Sequence, residues 1–267
     1  MDLTELSGLP IFLDEHGILL FGEDIRIEET KSRTLNELTK VYQDSSACRG
    51  AHVAYWMYNG VYSTRDLTAL AQTRIRYELT LFPGEKVGCE YVKSHGHLHT
   101  SEFSSGIDYP EICEVLVGTA HFIFQTLDLE GPACSDVFYV EVNAGEKIII
   151  PPGYDHLSIN PGPGPLLFSD IIARGASGIY ERFNQVGGAA YYEIERAGQA
   201  EFVPNPAYQS APALDKAGIV EFPNLDLTKA KPLYTSFVEK AGSNWPFLWE
   251  PELFKISFPS IDTLFVF

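Results

Sequence analysis

The stretch GEKIIIPPGYDHLSIN (residues 145–160) joins a β-branched run to a turn and a single histidine. The isoleucines favour a strand, and the two prolines with Gly153 favour a tight turn that ends it. His156 follows the turn and begins a second short β-type run. The spacing therefore predicts a hairpin whose turn points His156 toward the interior of a β structure.

Upstream, HGHLHTSEFSSGIDYPEICEVLVG (residues 95–118) supplies further candidate ligands. His97 and His99 are two residues apart, so both side chains would lie on one face of an extended strand. Glu111 begins the next apolar run and precedes Gly118 by the usual length of a hairpin strand. Two imidazoles and a carboxylate from one hairpin, with an imidazole from a later hairpin, can converge inside a small barrel.

A metal ion accounts for this combination of side chains. Three neutral imidazole nitrogens and one carboxylate oxygen suit iron, zinc, manganese, nickel or copper, and they leave coordination positions for substrate oxygens. We therefore predict that His97, His99, Glu111 and His156 bind one divalent metal ion. We expect iron, with zinc, manganese or nickel as alternatives.

Other histidines and acids fit the pattern less well. Spacing alone leaves His95 as a competing ligand, because it shares a strand face with His97, although Gly96 suggests a bend between them. Glu114 lies three residues past Glu111 and would face the opposite side of a strand. The remaining histidines are interpreted as ordinary side chains; they are His16, His52 and His121.

The region from residue 74 to residue 195 has a β-type rhythm around these motifs. RIRYELTLF (residues 74–82) places apolar side chains on one face by strict alternation. Later β-rich runs are separated by Gly, Pro and Asn at intervals of about 8–12 residues. This pattern predicts an all-β fold, an antiparallel sandwich or barrel, and argues against a βαβ fold.

Helix and turn signals lie in the flanking segments. An apolar spacing of three predicts a helix over residues 34–44, and a Ser-x-x-Asp capping pattern predicts a short helix over residues 63–72. Two short helices are predicted in the tail, over residues 232–242 and 251–258. Asn59–Gly60 is a hairpin turn signal.

The composition shift after Pro204 to a Pro- and Ala-rich stretch indicates a linker or a surface arm. We predict an N-terminal extension (1–50) that packs on the barrel, a barrel (51–208) and a C-terminal arm (209–267). The aromatic tail must pack on the β core or on a second subunit. We predict a homodimer to which this tail contributes, because exchanged edge strands hide sheet edges.

The composition limits the partners of this 267-residue chain. Its formal net charge is -17 and its pI is near 4.7, which argues against nucleic acid and anionic membranes as partners. The four cysteines form no Cys-x-x-Cys pair, so we interpret them as small buried side chains in a reducing compartment. No run approaches the roughly 18 apolar residues of a membrane span, and we expect a cytoplasmic protein.

The two histidine motifs resemble those of the cupin superfamily. The second motif, over residues 145–160, matches at every defined position. In the first motif Gly118 fits, Glu111 follows a longer insertion, and Tyr91 stands where the superfamily has glycine. The resemblance implies a double-stranded β-helix, or jelly-roll barrel, with an N-terminal segment and a C-terminal arm.

A narrower resemblance is to the cupin-type glucose-6-phosphate isomerases of archaea and some bacteria. It covers about residues 50–208. The matching segments are LTLFPGEKVGCEYVKSHGHLHT (79–100), EICEVLVGTAHFIFQT (111–126) and NQVGGAAYYEIERAGQAEFVPNPAY (184–208). It implies a metal-dependent isomerase of glycolysis and gluconeogenesis that interconverts glucose 6-phosphate and fructose 6-phosphate.

The resemblance also implies roles for individual residues. The family's metal ligands fall on the four residues predicted above, and Glu111 would in addition assist proton transfer. Its phosphate site falls on Thr80, Ser94 and Gly96, and an active-site tyrosine falls on Tyr180. Two basic side chains are further candidates, because they would counter the negative charge of the chain near a bound phosphate; they are Lys93 and Arg174.

Three departures from the family leave different functions open. Cys113 and Ile172 stand where the family has tyrosine, and Gly178 stands where it has histidine. A cupin dioxygenase would use the same metal centre, with oxygen as co-substrate. A non-catalytic sugar-binding cupin or an isomerase of unphosphorylated sugars would also be compatible with these residues.

Overall fold

The computed structural model describes residues 1–128, 130 and 132–267, and strands dominate this part of the chain. The strands are β1 (Ile11–Leu13), β2 (Leu19–Phe21), β3 (Ile25–Thr34), β4 (Val53–Ser63), β5 (Ile75–Phe82), β6 (Lys86–Val87), β7 (Glu90–Tyr91), β8 (Leu98–His99), β9 (Glu111–Val117), β10 (Thr119–Asp128), β11 (Ala133–Asn143), β12 (Lys147–Ile150), β13 (Asp155–Ile159), β14 (Leu166–Ala173), β15 (Gly178–Ile179), β16 (Tyr191–Arg196), β17 (Gln199–Pro204), β18 (Asp215–Ile219) and β19 (Phe265–Val266). The α-helices are α1 (Thr4–Ser7), α2 (Leu67–Leu70), α3 (Glu181–Val186), α4 (Leu233–Lys240) and α5 (Phe254–Ser257). The prediction of an all-β fold is confirmed.

Two large sheets form the body of the molecule. One has six strands in the order β12-β9-β14-β5-β4-β3, and the other has five in the order β13-β10-β11-β18-β19. Neighbouring strands in both sheets are antiparallel except β11 and β18, which are parallel. A smaller sheet has the order β17-β16-β7-β6. This is the predicted cupin jelly-roll barrel.

The core lies between the two large sheets, because each strand turns alternate side chains inward. Phe122 of β10 meets Phe168 of β14 across the sheets, with ring centroids 5.6 Å apart. Phe124 and Phe138 stack at 5.1 Å, and Phe265 of β19 packs on both rings. Burial of each ring contributes about 2–3 kcal/mol and holds the sheets together around the interior.

Both flanking segments join these sheets. Strand β3 pairs with β4 at one edge of the six-stranded sheet, and β18 and β19 extend the five-stranded sheet. In the tail, Trp245 and Phe247 are buried within this chain. The division into residues 1–50, 51–208 and 209–267 stays a prediction, since strands from all three parts share the two sheets.

The predicted helix over residues 34–44 is wrong, because the chain forms only a 3₁₀ turn at Leu35–Leu38. Thr34 and Glu37 bond reciprocally across the start of this turn and satisfy its free backbone donors. The apolar spacing of three fits a 3₁₀ turn, which has three residues per turn, as well as it fits a helix.

The predicted hairpin at Asn59–Gly60 is also wrong, because both residues lie inside β4, where Asn59 pairs with Glu29 of β3. Gly60 has a φ of 64°, and a Cβ at this position would lie 2.5 Å from the side chain of Glu28. The glycine therefore permits a close approach of the neighbouring strand instead of a turn.

The other helix predictions are confirmed. Helix α2 lies within residues 63–72, α4 within residues 232–242 and α5 within residues 251–258. In the described ranges no helix has the length and apolar character needed to cross a membrane. All four cysteines are free thiols; three are buried as expected, but the interpretation is wrong for Cys89, which is exposed.

Candidate metal centre

Three histidines from separated segments meet inside the barrel. His99 lies on β8, His97 precedes that strand, and His156 lies on β13. The backbones of His97 and His156 pair directly, with N–O distances of 3.0 and 2.9 Å. The three ring centroids lie 4.5–4.9 Å apart, and one nitrogen from each ring lies within 4.8 Å of the others.

Backbone carbonyls orient two of these rings. The Nδ1 atom of His99 lies 2.8 Å from the Tyr109 carbonyl oxygen, and that of His156 lies 3.1 Å from the Tyr154 carbonyl oxygen. A ring whose Nδ1 donates to a carbonyl presents the Nε2 lone pair as a ligand. These contacts fix the orientation of the two rings and direct Nε2 of each toward the centre.

The carboxylate of Glu111 borders the histidines. Its Oε2 atom lies 3.0 Å from His99 Nε2 and 3.9 Å from His156 Nε2, and its Oε1 atom accepts a hydrogen bond from the Cys113 thiol at 3.2 Å. Burial alone would raise the pKa of Glu111, but the hydrogen bond with His99 and the adjacent imidazoles lower it below its ordinary value. The carboxylate is therefore ionised at neutral pH and available as a fourth ligand.

Two of the imidazoles, those of His97 and His156, are held in the neutral state that a metal requires. Burial first, and then the neighbouring histidines, lower the pKa of His97 well below its usual range. The same causes lower the pKa of His156 to about 4, although Glu111 acts in the opposite direction. Neutral nitrogens beside one carboxylate form a donor set that fits a divalent transition metal.

The centre opens into a cavity of about 540 Å³ between the two large sheets. This volume is within the usual range for small-molecule sites. All four predicted metal ligands line it, and so do three of the other predicted site residues, which are Thr80, Ser94 and Tyr180. Ser94 pairs with Ser158 of β13 through its backbone N–H, at 2.8 Å, and its hydroxyl oxygen accepts from the Ser158 N–H at 3.0 Å.

Three other predicted site residues lie outside the lining of this cavity. Lys93 is 2% exposed, pairs with Glu90 and lies between two tyrosine rings. Arg174 is partly exposed and pairs with Glu28 at 3.0 Å. Gly96 has a φ of 79°, and a Cβ there would lie 2.8 Å from a buried phenylalanine ring. None of the three is brought to the metal centre.

His95 also turns away from the metal centre. Its Nε2 atom lies 2.8 Å from the Asn184 side-chain oxygen, on helix α3. The ring of Tyr180 packs against both histidine rings, with its centroid 4.9 Å from that of His95 and 5.4 Å from that of His97. The competition for the ligand position that spacing left open therefore favours His97.

Basic residues that the sequence motifs did not indicate line the cavity instead. Arg33 of β3 lies with its guanidinium 5.1 Å from the centroid of the Tyr180 ring. Its Nε atom is buried, and no described residue accepts a hydrogen bond from it. Lys31 and Arg76 also line the cavity. The cavity thus contains an unpaired donor of the kind that binds anions.

Acidic side chains also line the cavity. Glu78 of β5 pairs with Arg76, and Asp170 of β14 lies directly opposite Glu78. Burial, with the neighbouring Glu111 and Glu78 carboxylates, raises the pKa of Asp170 well above its usual range, although Arg76 partly offsets the effect. Neither Glu78 nor Asp170 belongs to a recognisable motif, because sheet pairing and not sequence spacing brings them together.

A comparison with known protein families covers the region that contains this centre. Residues 30–208 match the family model described as glucose-6-phosphate isomerase (GPI). The chain belongs to the cupin-type glucose-6-phosphate isomerase family. This membership confirms the resemblance seen in the sequence, and the matched region contains every residue of the centre described above.

Curated relatives in this family come from archaea. The chain is 27% identical over 129 residues to the glucose-6-phosphate isomerase of Pyrococcus furiosus, and 28% identical over 129 residues to that of Thermococcus litoralis. Each match covers 48% of this chain and 61% of the relative. The chain therefore spans less than two thirds of the length of these relatives.

Solved structures with a similar fold include two oxalate-using proteins. A recombinant oxalate oxidase in complex with glycolate has a TM-score of 0.32 and 15% identity, over 47% of this chain and 55% of that one. The oxalate decarboxylase of Lactobacillus farciminis, in a formate complex, has a TM-score of 0.30 and 17% identity, over 47% of this chain and 28% of that one.

The three departures from the family fall around the metal centre. Cys113 donates to Glu111, and Ile172 lines the cavity. A Cβ at Gly178 would lie 2.9 Å from a ring carbon of His97, so the absence of a side chain there lets His97 take its position. The departures therefore change the surroundings of the four predicted ligands and leave the ligands in place.

Proposed function

We propose that the chain is a metal-dependent aldose–ketose isomerase that interconverts glucose 6-phosphate and fructose 6-phosphate. The observation that carries this proposal is the meeting of three histidines with Glu111 in the wall of a cavity, in a chain of the isomerase family. His97, His99, His156 and Glu111 would hold the metal ion, and we expect iron, with zinc, manganese or nickel as alternatives. When bound, the ion supplies Lewis-acid stabilisation of negative charge on substrate oxygens.

The residues of the chain account for the proton movements. In the open-chain aldose, a base removes the proton from C2 and returns it to C1, while a proton passes from O2 to O1. Glu111 is ionised, nearly fully buried and aimed at the centre, so it is suited to accept and return the carbon-bound proton. Tyr180 lies beside His97, where its hydroxyl can contact the same end of the substrate.

The phosphate would bind at the other end of the cavity. Thr80 and Ser94 offer hydroxyl donors there, and Arg33 offers its unpaired Nε–H. The basic side chains matter because the whole chain has a net charge of -17, which would otherwise repel a phosphate dianion. Arg33 and Lys31 pair with Glu37 and Glu29, but unlike Lys93 and Arg174 they line the cavity, so we propose them as the basic groups near the phosphate.

An assay of metal-stripped and reconstituted protein tests the function. Glucose 6-phosphate and fructose 6-phosphate should interconvert only after a divalent metal is restored, without oxygen uptake. Solvent deuterium at C1 or C2 in the same reactions would show proton transfer through a protein base. Glucose and fructose serve as controls for the phosphate. Oxygen-dependent consumption of substrate would instead favour the dioxygenase, and binding without turnover would favour a sugar-binding cupin.

Two properties of the whole protein complete the proposal. We propose that it works in the cytoplasm, in glycolysis and gluconeogenesis, because its cysteines are free thiols that suit a reducing compartment. We also propose a homodimer, which would cover sheet edges such as that of β3. Light scattering of the purified chain tests the second proposal, since a monomer at micromolar concentration would contradict it.

A further inference from the structure

Asp170 is a buried carboxyl group without a partner in the cavity wall. Its side chain is 5% exposed and lines the cavity from strand β14. Among the described residues, none gives this carboxyl group a hydrogen bond or an ion pair. A buried polar group without a partner costs free energy of folding, so one that faces a cavity points to a ligand that completes it.

The neighbours of Asp170 are already engaged with other groups. Strand register places Glu78 of β5 opposite it on one side and Cys113 of β9 on the other. The nearest guanidinium, that of Arg76, pairs with Glu78 and donates to two backbone carbonyls. The thiol of Cys113 donates to Glu111. The protein itself therefore leaves the Asp170 carboxyl group for something that enters the cavity.

Asp170 also lies midway between the two ends of the proposed substrate site. Two residues further along β14, Ile172 pairs with Glu111 at the metal end. Two residues in the other direction, Phe168 pairs with Thr80 at the phosphate end. Ordinary strand spacing and rise put the Cα atoms of Glu111 and Thr80 about 16 Å apart on a diagonal that crosses Asp170. The span between their side chains suits an extended six-carbon chain with its phosphate.

We propose that Asp170 binds the hydroxyl groups on the middle carbons of an open-chain hexose 6-phosphate and selects their configuration. This inference rests on the proposed function, which sets the two ends of the substrate. A carboxyl group can hydrogen-bond a hydroxyl in either protonation state, as an acceptor when ionised and as a donor or acceptor when protonated. With C1 and C2 at the metal end and C6 at the phosphate end, C3 and C4 pass over Asp170.

Binding of open-chain hexitol 6-phosphates tests the site without turnover. Glucitol 6-phosphate has the glucose configuration at C3 and C4, and galactitol 6-phosphate differs from it at C4. In isothermal titration, the metal-loaded wild type should bind the first at least about tenfold more tightly than the second. Asp170→Ala should weaken binding of glucitol 6-phosphate at least about tenfold and bring the two affinities together.

Two further readouts separate a binding role from a structural role. Asp170→Ala and Asp170→Asn should keep the metal content of the wild type. Both should unfold at a temperature no lower than that of the wild type, because the substitution removes an unpaired buried carboxyl group. Loss of metal would assign Asp170 to the metal centre, and loss of stability would assign it to the fold. Either result would overturn the proposal.

The experiment also distinguishes this proposal from the proposed function. Asp215→Asn, an exposed acid outside the cavity, serves as the matched charge control and should bind both hexitols as the wild type does. If glucitol 6-phosphate binds through Asp170 but the wild type fails to interconvert the sugar phosphates, the isomerase function fails and the hydroxyl site stands. If the wild type turns over while Asp170→Ala keeps its affinities and epimer preference, the hydroxyl site fails and the function stands.

Discussion

Glu111 and Glu114 lie three residues apart on strand β9, and both carboxylates are buried, at 7% and 1% exposure. Glu111 is opposite Ile150 of β12 and faces the histidines. Glu114 is opposite Lys147 and faces away from the cavity. It pairs with the Lys147 ammonium group at 2.6 Å and accepts a hydrogen bond from the Leu233 N–H at 2.9 Å.

The difference shows that one strand can carry a carboxylate available for chemistry on one face and a carboxylate that stabilises the fold on the other. Glu111 contacts groups that line the cavity, so its carboxylate lies where a ligand can reach it. Glu114 has only internal partners, and Lys147 also donates to the backbone carbonyl of Thr228 at 2.8 Å. The Glu114–Lys147 ion pair therefore connects strands β9 and β12 to helix α4 and to the C-terminal segment at Thr228. Strand alternation alone decides which role each carboxylate takes.

The strongest test of the Glu111 face removes a histidine. His156→Ala or His97→Ala should release the metal and lower kcat by at least about 1,000-fold, since a lost ligand costs more than a lost supporting group. The circular dichroism spectrum should stay that of a folded β protein. Elemental analysis and the isomerase assay measure the outcome. A variant with full metal content and activity would contradict the assignment of these ligands.

Substitution of Glu111 itself should separate chemistry from folding. Glu111→Gln should lower kcat about 100- to 10,000-fold, because the proton acceptor is lost. The free energy of unfolding of the metal-free protein should change by less than about 1 kcal/mol. Steady-state kinetics and urea unfolding measure the two effects. A large loss of stability with full activity would show that the two carboxylates have the opposite roles.

On the other face, Lys147→Met should destabilise the protein without touching the cavity. It leaves Glu114 buried without its cation, which costs about 3 kcal/mol in the free energy of unfolding at pH 8. Burial already raises the pKa of Glu114 to about 7, although Lys147 lowers it, so removal of Lys147 raises it further. A raised carboxyl pKa favours folding below the unfolded value near 4.5 and loses that contribution as pH rises through the folded value.

The pH dependence of that variant is therefore the sharper measurement. Its stability deficit should be small near pH 5, where Glu114 takes up a proton, and largest near pH 8. The double variant Glu114→Gln with Lys147→Met should regain most of the loss at pH 8, because no buried charge remains. A deficit that is equal at both pH values, measured by urea unfolding, would contradict this account of the pair.

The smallest effect is expected at Cys113, which touches Glu111 from the same strand. Cys113→Ala removes a weak thiol donor and should lower kcat by roughly two- to fivefold, with KM nearly unchanged. Cys113→Ser restores a donor and should recover the difference. A change above about tenfold would show that this contact does more than orient the carboxylate.

Local sequence patterns were enough to predict much of the fold and to select the four candidate ligands. Alternation within RIRYELTLF and the spacing of His97 and His99 are local features, and short-range geometry preserves them. Lys93 shows where proximity in sequence misleads. It is next to Ser94, but adjacent residues of an extended segment face opposite sides, so Ser94 lines the cavity and Lys93 is buried elsewhere.

Long-range pairing explains what the sequence could not reveal. Asp170 meets Glu78 only because β14 lies beside β5, and alternation within either strand does not indicate its neighbour. Arg33 reaches the cavity because β3 adds to the sheet, and it lies in a segment without a recognisable motif. The Asn59–Gly60 dipeptide is typical of a hairpin turn, but it lies within β4 because β3 pairs with that strand on both sides of it.

Within the described residues, strand β3 has a hydrogen-bonded neighbour on one side, whereas β5, β9 and β14 each have two. Arg33 and Lys31 are therefore carried by an edge strand of the six-stranded sheet, and Glu111 by an interior strand of the same sheet. Amide protons of β3 should exchange with solvent sooner than those of β9. Under the proposed function, the basic residues that would contact the phosphate are therefore more mobile than Glu111, and a substrate could draw β3 inward without moving the strand that carries this carboxylate.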